Sequence, residues 1–114
     1  MFESAFELVA PHTHRTPLLT SRMLSDRSGF DVRLKAEMFQ RTGSYKIRGP
    51  LNKFSHLSDE QRARGVVCSS AGNHAQGVAL AARIAALRLG FAGRPSEMTS
   101  RFAADATIVT STAY

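Results

Sequence analysis

The sequence predicts an α/β fold, and two adjoining segments carry this prediction. Residues 65–70, GVVCSS, form a short apolar run that begins at a glycine and is typical of a buried parallel strand. A loop of small residues, AGNHAQG (71–77), follows at once. In VALAARIAALRL (78–89) apolar residues then recur every three or four positions, which predicts a buried helix. A strand, a tight loop and a helix in this order are typical of α/β domains.

The N-terminal third is predicted to contain short elements separated by prolines and polar turns. Residues 2–9 are expected to form a short helix that Pro11 ends. Residues 12–21 are expected to be extended, because proline disfavours the helical conformation of the residue before it. The remaining expectations are a helical turn or two through Met23, a turn at 26–29 and a strand at 32–38.

A further helix is predicted to start near Ser44, whose side chain can cap free backbone amides. Apolar residues recur every three or four positions between residues 47 and 54 and give this helix one apolar face. Pro50 lies inside it, removes one amide and clashes with the carbonyl four residues earlier. We therefore expect either a kinked helix or a distorted first turn at Lys46.

Length and composition indicate one globular domain, residues 1–114. The chain has 114 residues, 43 % of them hydrophobic and 21 % charged, as in ordinary globular proteins. The single cysteine, Cys68, excludes an internal disulfide and a cysteine-rich zinc site, so we expect a reducing, cytoplasmic location. The N-terminus lacks the features of a signal peptide, and Arg83 and Arg88 interrupt the most apolar run, so no membrane association is expected.

The positive charge is concentrated in the middle of the chain. Residues 41–79 contain six basic and two acidic residues, together with most of the small polar loop residues, so this segment suits an anion. The sequence shows no long basic run, zinc-finger spacing or array of stacking aromatics, and we therefore expect no nucleic-acid partner. His12 and His14 have no neighbouring cysteine or carboxylate, and no metal site is predicted.

Lys46 and the loop after the predicted strand suggest one chemistry when they are taken together. A lysine amine that is withdrawn from water loses its proton more easily and can condense with an aldehyde, and a neighbouring positive charge, Arg48, acts in the same direction. Taken singly, Lys46 is more simply a surface charge.

The loop supplies polar groups that suit such a site. Asn73 could donate a hydrogen bond to a phenolate oxygen of an aldehyde cofactor, and Ser70 with the amides near Gly72 could hold the carboxylate of an amino acid. Taken singly, Asn73 and His74 are more simply helix caps.

From about Arg15 to Ala82 the chain resembles the threonine dehydratase and serine racemase group of pyridoxal-phosphate enzymes, which have the tryptophan-synthase-like fold (fold type II). Two long motifs at the correct separation are more specific than either alone. The resemblance implies a partial three-layer arrangement of helices and sheet, of which this chain would be an N-terminal fragment. Its segments are RTPLLTS (15–21), VRLKAEMFQRTGSYKIRG (32–49) and GVVCSSAGNHAQG (65–77).

The resemblance also implies a site and a reaction. Lys46 would bond covalently to pyridoxal phosphate, Asn73 would contact the cofactor's ring hydroxyl, and Ser70, Gly72 and His74 would shape the loop for the substrate carboxylate. The reaction would be β-elimination of threonine or serine to a 2-oxo acid and ammonia, with Lys46 removing the α-proton. Full-length members of the group are expected to form homo-oligomers.

Two alternatives stay open. One is an amino-acid racemase of the same family, many of which place an acid/base serine directly before the Gly-Asn pair. Alanine occupies that position here, Ala71, and cannot move a proton, which favours elimination. The other is a non-catalytic fragment that only associates with other chains.

The resemblance fails in the tail, from about residue 86 to 114, although ATIVTST (106–112) has the β-branched content of a strand. Family members hold the cofactor phosphate with a later glycine-rich loop and the pyridine nitrogen with a later side chain, and neither occurs in this sequence. We therefore expect this chain alone to be a poor enzyme or none. A truncation with a shifted reading frame is the favoured explanation of the tail, and a short protein whose tail pairs with a partner is the other.

Overall fold

The computed structural model describes residues 2–70 and 72–91 and the backbone of a strand at 107–110. Three short 3-10 helices cover Ala10–His12, Glu37–Phe39 and Tyr45–Ile47. The α-helices are α1 (Phe2–Val9), α2 (Arg22–Ser28), α3 (Arg48–Ser55), α4 (Asp59–Arg64) and α5 (Asn73–Ile84). The strands are β1 (Leu18–Thr20), β2 (Arg33–Lys35), β3 (Val66–Ser69), β4 (Leu89–Phe91) and β5 (Thr107–Thr110).

A three-stranded parallel sheet in the order β4-β3-β5 forms the centre of the fold. Val67 of β3 aligns with Gly90 on one side and with Ile108 on the other. The first three residues of β3 are buried, as expected of a strand that is paired at both edges. The predicted strand at 65–70, the strand within 106–112 and the α/β class are thus confirmed; the rest of the tail, 92–106 and 111–114, lies outside the described residues.

The N-terminal part differs from its prediction in two places. The predicted turn at 26–29 is wrong, because α2 begins after Ser21, which caps Leu24 N at 3.4 Å, and continues to Ser28. Gly29 ends this helix with a left-handed φ of 75°, which glycine adopts without strain. The strand predicted at 32–38 covers only Arg33–Lys35, which pairs antiparallel with β1 before the chain enters a 3-10 turn.

The hydrophobic core lies where α3, α5 and β3 meet. Packing continues past residue 86, since Leu87 and Leu89 contact this core. α5 ends at Ile84, so Leu89 belongs to β4 and not to the helix that its spacing predicted. The Arg62 guanidinium links the C-terminal ends of α3 and α5. It donates hydrogen bonds to the Phe54 carbonyl at 3.3 Å and to the Ala85 carbonyl at 2.7 Å. Fully buried core residues include Ile47, Phe54, Val66, Cys68, Val78 and Ala81.

Every helix of the described residues is too short or too polar to cross a membrane.

Candidate active site

Lys46 lies on a tight turn that leads directly into α3. The Ser44 hydroxyl accepts a hydrogen bond from the Lys46 backbone N–H at 3.3 Å, so the predicted serine cap is present. The turn at Tyr45–Ile47 is a 3-10 helix, and Pro50 is the third residue of α3. Of the two expectations for Pro50, the distorted first turn is therefore the correct one, and it holds a half-buried Lys46.

The predicted substrate loop connects the end of β3 to the start of α5. The Ser70 hydroxyl accepts a hydrogen bond from Gly72 N–H at 3.3 Å, which folds the loop back on itself. Gly72 occupies the N-cap position of α5, and no side chain in the described part of the chain caps this helix. The interpretation of Asn73 and His74 as simple helix caps is therefore wrong, because both lie within the first turn. Amides of an uncapped first turn, with the positive end of the helix dipole, favour an anion.

His74 links this loop electrostatically to Lys46. Its Nε2 atom is buried and has no hydrogen-bond partner among the described residues. Burial lowers the pKa of His74, and the positive charge of Lys46 lowers it further. Lys46 thus lies within electrostatic reach of the first turn of α5, whereas Asn73, at the start of that turn, is exposed. Ala71 lies outside the described residues, so the comparison with racemases at this position stays a sequence argument.

These groups fit an aldehyde cofactor and an amino-acid carboxylate. Lys46 supplies an amine on a half-buried residue, and Asn73 supplies an exposed amide three residues after the Ser70 hydroxyl. A β-carbon on Gly72 would meet no atom of the described residues within 4 Å, so those residues leave the loop backbone open to a ligand. The unpartnered His74 nitrogen is a further polar group available to that ligand.

The sequence suggested that the positive charge of Arg48 acts on Lys46. In the structure this charge is compensated by a carboxylate. Arg48 forms a two-pronged ion pair with Glu37, at 3.0 Å through Nε and 2.9 Å through Nη2. The Thr16 hydroxyl donates to the same carboxylate at 2.6 Å. The Arg48 hydrogen bond is the main cause that lowers the pKa of Glu37 to about 2, against the opposing effect of burial.

An open cavity of about 720 Å³ adjoins this ion pair, and sequence reasoning missed both. The cavity brings together residues from separate parts of the chain, which no local pattern reveals. His14 is one of the residues that line the cavity. No metal site is formed there, because within the described ranges no group of three or more His, Cys, Asp or Glu could hold a metal ion. The polar lining is formed by Thr13, His14, Arg15, Lys35, Glu37 and Arg48.

Known proteins match this chain in sequence and in structure. The sequence model of the family described as "Pyridoxal-phosphate dependent enzyme" matches residues 9–90, a wider range than 15–82. An L-threonine ammonia-lyase of Thermotoga maritima is 62 % identical over 71 residues, which are 62 % of this chain and 18 % of that protein.

Two solved structures share the fold. A threonine deaminase from T.th. is 48 % identical with a TM-score of 0.63, over 77 % of this chain and 31 % of that one. Maize serine racemase is 36 % identical with a TM-score of 0.71, over 98 % of this chain and 36 % of that one. The chain therefore spans about a fifth of the length of the curated relative and about a third of these structures. The predicted resemblance, fold group and family cofactor are confirmed.

Proposed function

The chain belongs to the family of pyridoxal-phosphate dependent enzymes, and on this premise we propose that it carries the lysine and the substrate loop of a threonine or serine ammonia-lyase. Lys46 binds the cofactor covalently, Asn73 contacts its ring hydroxyl, and Ser70, Gly72 and His74 hold the substrate carboxylate. One observation carries the proposal: the main chain of the half-buried Lys46 lies directly against α5, the helix whose uncapped first turn holds Asn73 and His74. The buried Cys68 thiol agrees with a reducing, cytoplasmic location.

Each residue of the loop has a definite task in this proposal. The uncapped amides and dipole of α5 attract the carboxylate, and the Ser70 hydroxyl is free to donate its hydrogen because its oxygen accepts from Gly72 N–H. Burial, and secondly the charge of Lys46, lower the pKa of His74, which disfavours a second positive charge beside Lys46.

Proton transfer falls to Lys46. When bound, pyridoxal phosphate withdraws electrons from the substrate's α-carbon and makes its proton acidic. Once the substrate amine had displaced Lys46 from the cofactor, the freed Lys46 Nζ atom would take that proton and pass a proton to the β-hydroxyl, which would leave as water. Addition of one water molecule to the remaining product would then give the 2-oxo acid and ammonia. Alanine at position 71 offers no second proton carrier, which favours elimination over inversion.

Serine racemisation is the second candidate, since the likeness to maize serine racemase extends over 98 % of the chain. Product analysis separates the two reactions. Incubation of the pyridoxal-phosphate-loaded chain with L-serine gives pyruvate and ammonia in an ammonia-lyase and D-serine in a racemase. The chain alone is expected to be a poor enzyme, and a complete absence of both products would favour the non-catalytic alternative.

The cofactor site is tested by trapping. The chain contains three lysines, Lys35, Lys46 and Lys53. After incubation with pyridoxal phosphate and reduction with borohydride, we expect the peptide that contains Lys46 to carry most of the mass adduct. Lys46→Ala is expected to lower total adduct about tenfold or more, whereas Lys53→Ala, at an exposed site, leaves the Lys46 adduct unchanged. An adduct spread evenly over the three lysines, or no adduct, would refute the site and favour the non-catalytic alternative.

A further inference from the structure

Helix α5 contacts the Lys46 turn backbone to backbone, at Gly77. A β-carbon on Gly77 would lie 2.7 Å from the Lys46 carbonyl carbon and 3.0 Å from the Ile47 nitrogen, and closer still to the Lys46 carbonyl oxygen. Gly77 is buried in the first half of α5, one turn after Asn73. The helix that carries the substrate loop therefore rests directly on the main chain of the lysine.

The reason for glycine at this position is space. Gly77 lies inside a regular α-helix, where alanine is otherwise the preferred residue by about 1 kcal/mol. Gly49, in α3, provides the contrast, because a β-carbon there would meet no atom of residues 2–70 and 72–91 within 4 Å. Of these two helical glycines, only Gly77 is required by a neighbouring backbone.

Pro50, in α3, shapes the Lys46 turn against which Gly77 of α5 packs. It has no N–H to donate to the Lys46 carbonyl four residues earlier, and the chain takes a 3-10 turn at Tyr45–Ile47. This turn is the surface on which Gly77 rests. A proline in one helix and a glycine in the other thus shape the two sides of a single contact.

We propose that Gly77 is a positioning residue that sets the distance between Lys46 and the loop at 70–74; its catalytic meaning rests on the function proposed above. With alanine at 77, α5 has to move away from the turn. Ordinary contacts begin near 3.4 Å, so the helix retreats by about 1 Å, a displacement that costs about a hundredfold in rate when it separates catalytic groups.

The test compares Gly77→Ala with Gly49→Ala, the same substitution at an open position. The first readout needs no cofactor: the pKa of His74, measured by NMR titration of the apo protein. In Gly77→Ala it rises, because the helix moves away from the turn and weakens both causes that lower it, burial first and the charge of Lys46 second. Lys46→Met shows how much of the rise is due to the charge. In Gly49→Ala the pKa of His74 stays at the wild-type value. The second readout is the borohydride-trapped adduct at Lys46, which falls about tenfold or more in Gly77→Ala alone.

The outcomes separate this inference from the function. An unchanged His74 titration in folded Gly77→Ala overturns the positioning role, even where Lys46 traps the cofactor normally. A shifted titration in a chain that traps no cofactor supports the positioning role and removes the proposed function. If Gly77→Ala does not fold, the wild-type nuclear Overhauser effect between the Gly77 α-protons and the Ile47 amide decides: its presence supports the direct contact, and its absence overturns it.

Discussion

Residues 44–91 bury large apolar side chains, whereas residues 2–43 are held mainly by hydrogen bonds and ion pairs. The largest fully buried side chains all belong to the first group, from Ile47 to Val78. In the second group β1 and β2 are exposed along their whole length, and Val9 is the member that reaches the main core.

Polar contacts replace burial in residues 2–43. The Gln40 side chain accepts from His14 N–H at 2.8 Å and donates to the His14 carbonyl at 2.9 Å. The Arg41 guanidinium donates to the His12 carbonyl at 3.2 Å. The Glu37–Arg48 pair joins this polar part to the start of α3. The lysine and its loop therefore depend on apolar packing, while the N-terminal part depends on charge and on pH.

The largest effect is expected from the apolar part. Phe54→Ala removes a fully buried ring and leaves a cavity, and should lower the free energy of unfolding by about 3–5 kcal/mol. Phe30→Ala is the matched control, because 76 % of that residue is exposed, and should change it by about 0.5 kcal/mol or less. Urea denaturation followed by circular dichroism measures both. Equal effects of the two variants would mean that the core is not where the structure places it.

An intermediate effect is expected from the charged link. Glu37→Gln removes the two-pronged pair with Arg48 and should destabilise the chain by roughly 1–3 kcal/mol at pH 7. Glu60→Gln is the control, since that carboxylate is exposed and lies 3.5 Å from Arg64; it should change stability by about 0.5 kcal/mol or less.

The same residue predicts an acid dependence. The pKa of Glu37 is lowered from 4.5 to about 2, so its stabilisation is complete above pH 4.5 and is lost as the pH falls from there toward 2. Urea midpoints of wild type should drop more steeply across this window than those of Glu37→Gln. Parallel pH profiles of the two proteins would show that the pair does not stabilise the fold.

The smallest effect is expected on the exposed strand pair. Leu34 lies opposite Leu19 in the pairing of β2 with β1, and both are more than 40 % exposed. Leu34→Ala should therefore lower the free energy of unfolding by about 1 kcal/mol or less in the same urea assay. A loss as large as that of Phe54→Ala would show that this face is buried.

Sequence reasoning succeeded where neighbouring residues decide the structure. Ser44 and Pro50 determine the Lys46 turn from within seven residues, and the apolar run that begins at Gly65 forms the strand β3, whose first three residues are buried. It failed where the deciding group is distant or has competitors. Glu37 and Arg48 meet across a loop, and Gly72 takes the cap position that Asn73 could also have filled. The pairing of β2 with β1 depends on how the residues between them bring the two strands together, and no local sequence pattern specifies this.

Cys68 lies at the middle of β3 with no exposed surface, and burial raises the pKa of its thiol. A thiol in this state reacts with an alkylating reagent only when the strand separates from its neighbours. The rate at which the thiol is modified under native conditions therefore measures how often the central sheet opens. Because Cys68 is the single cysteine of the chain, this measurement needs no engineered label.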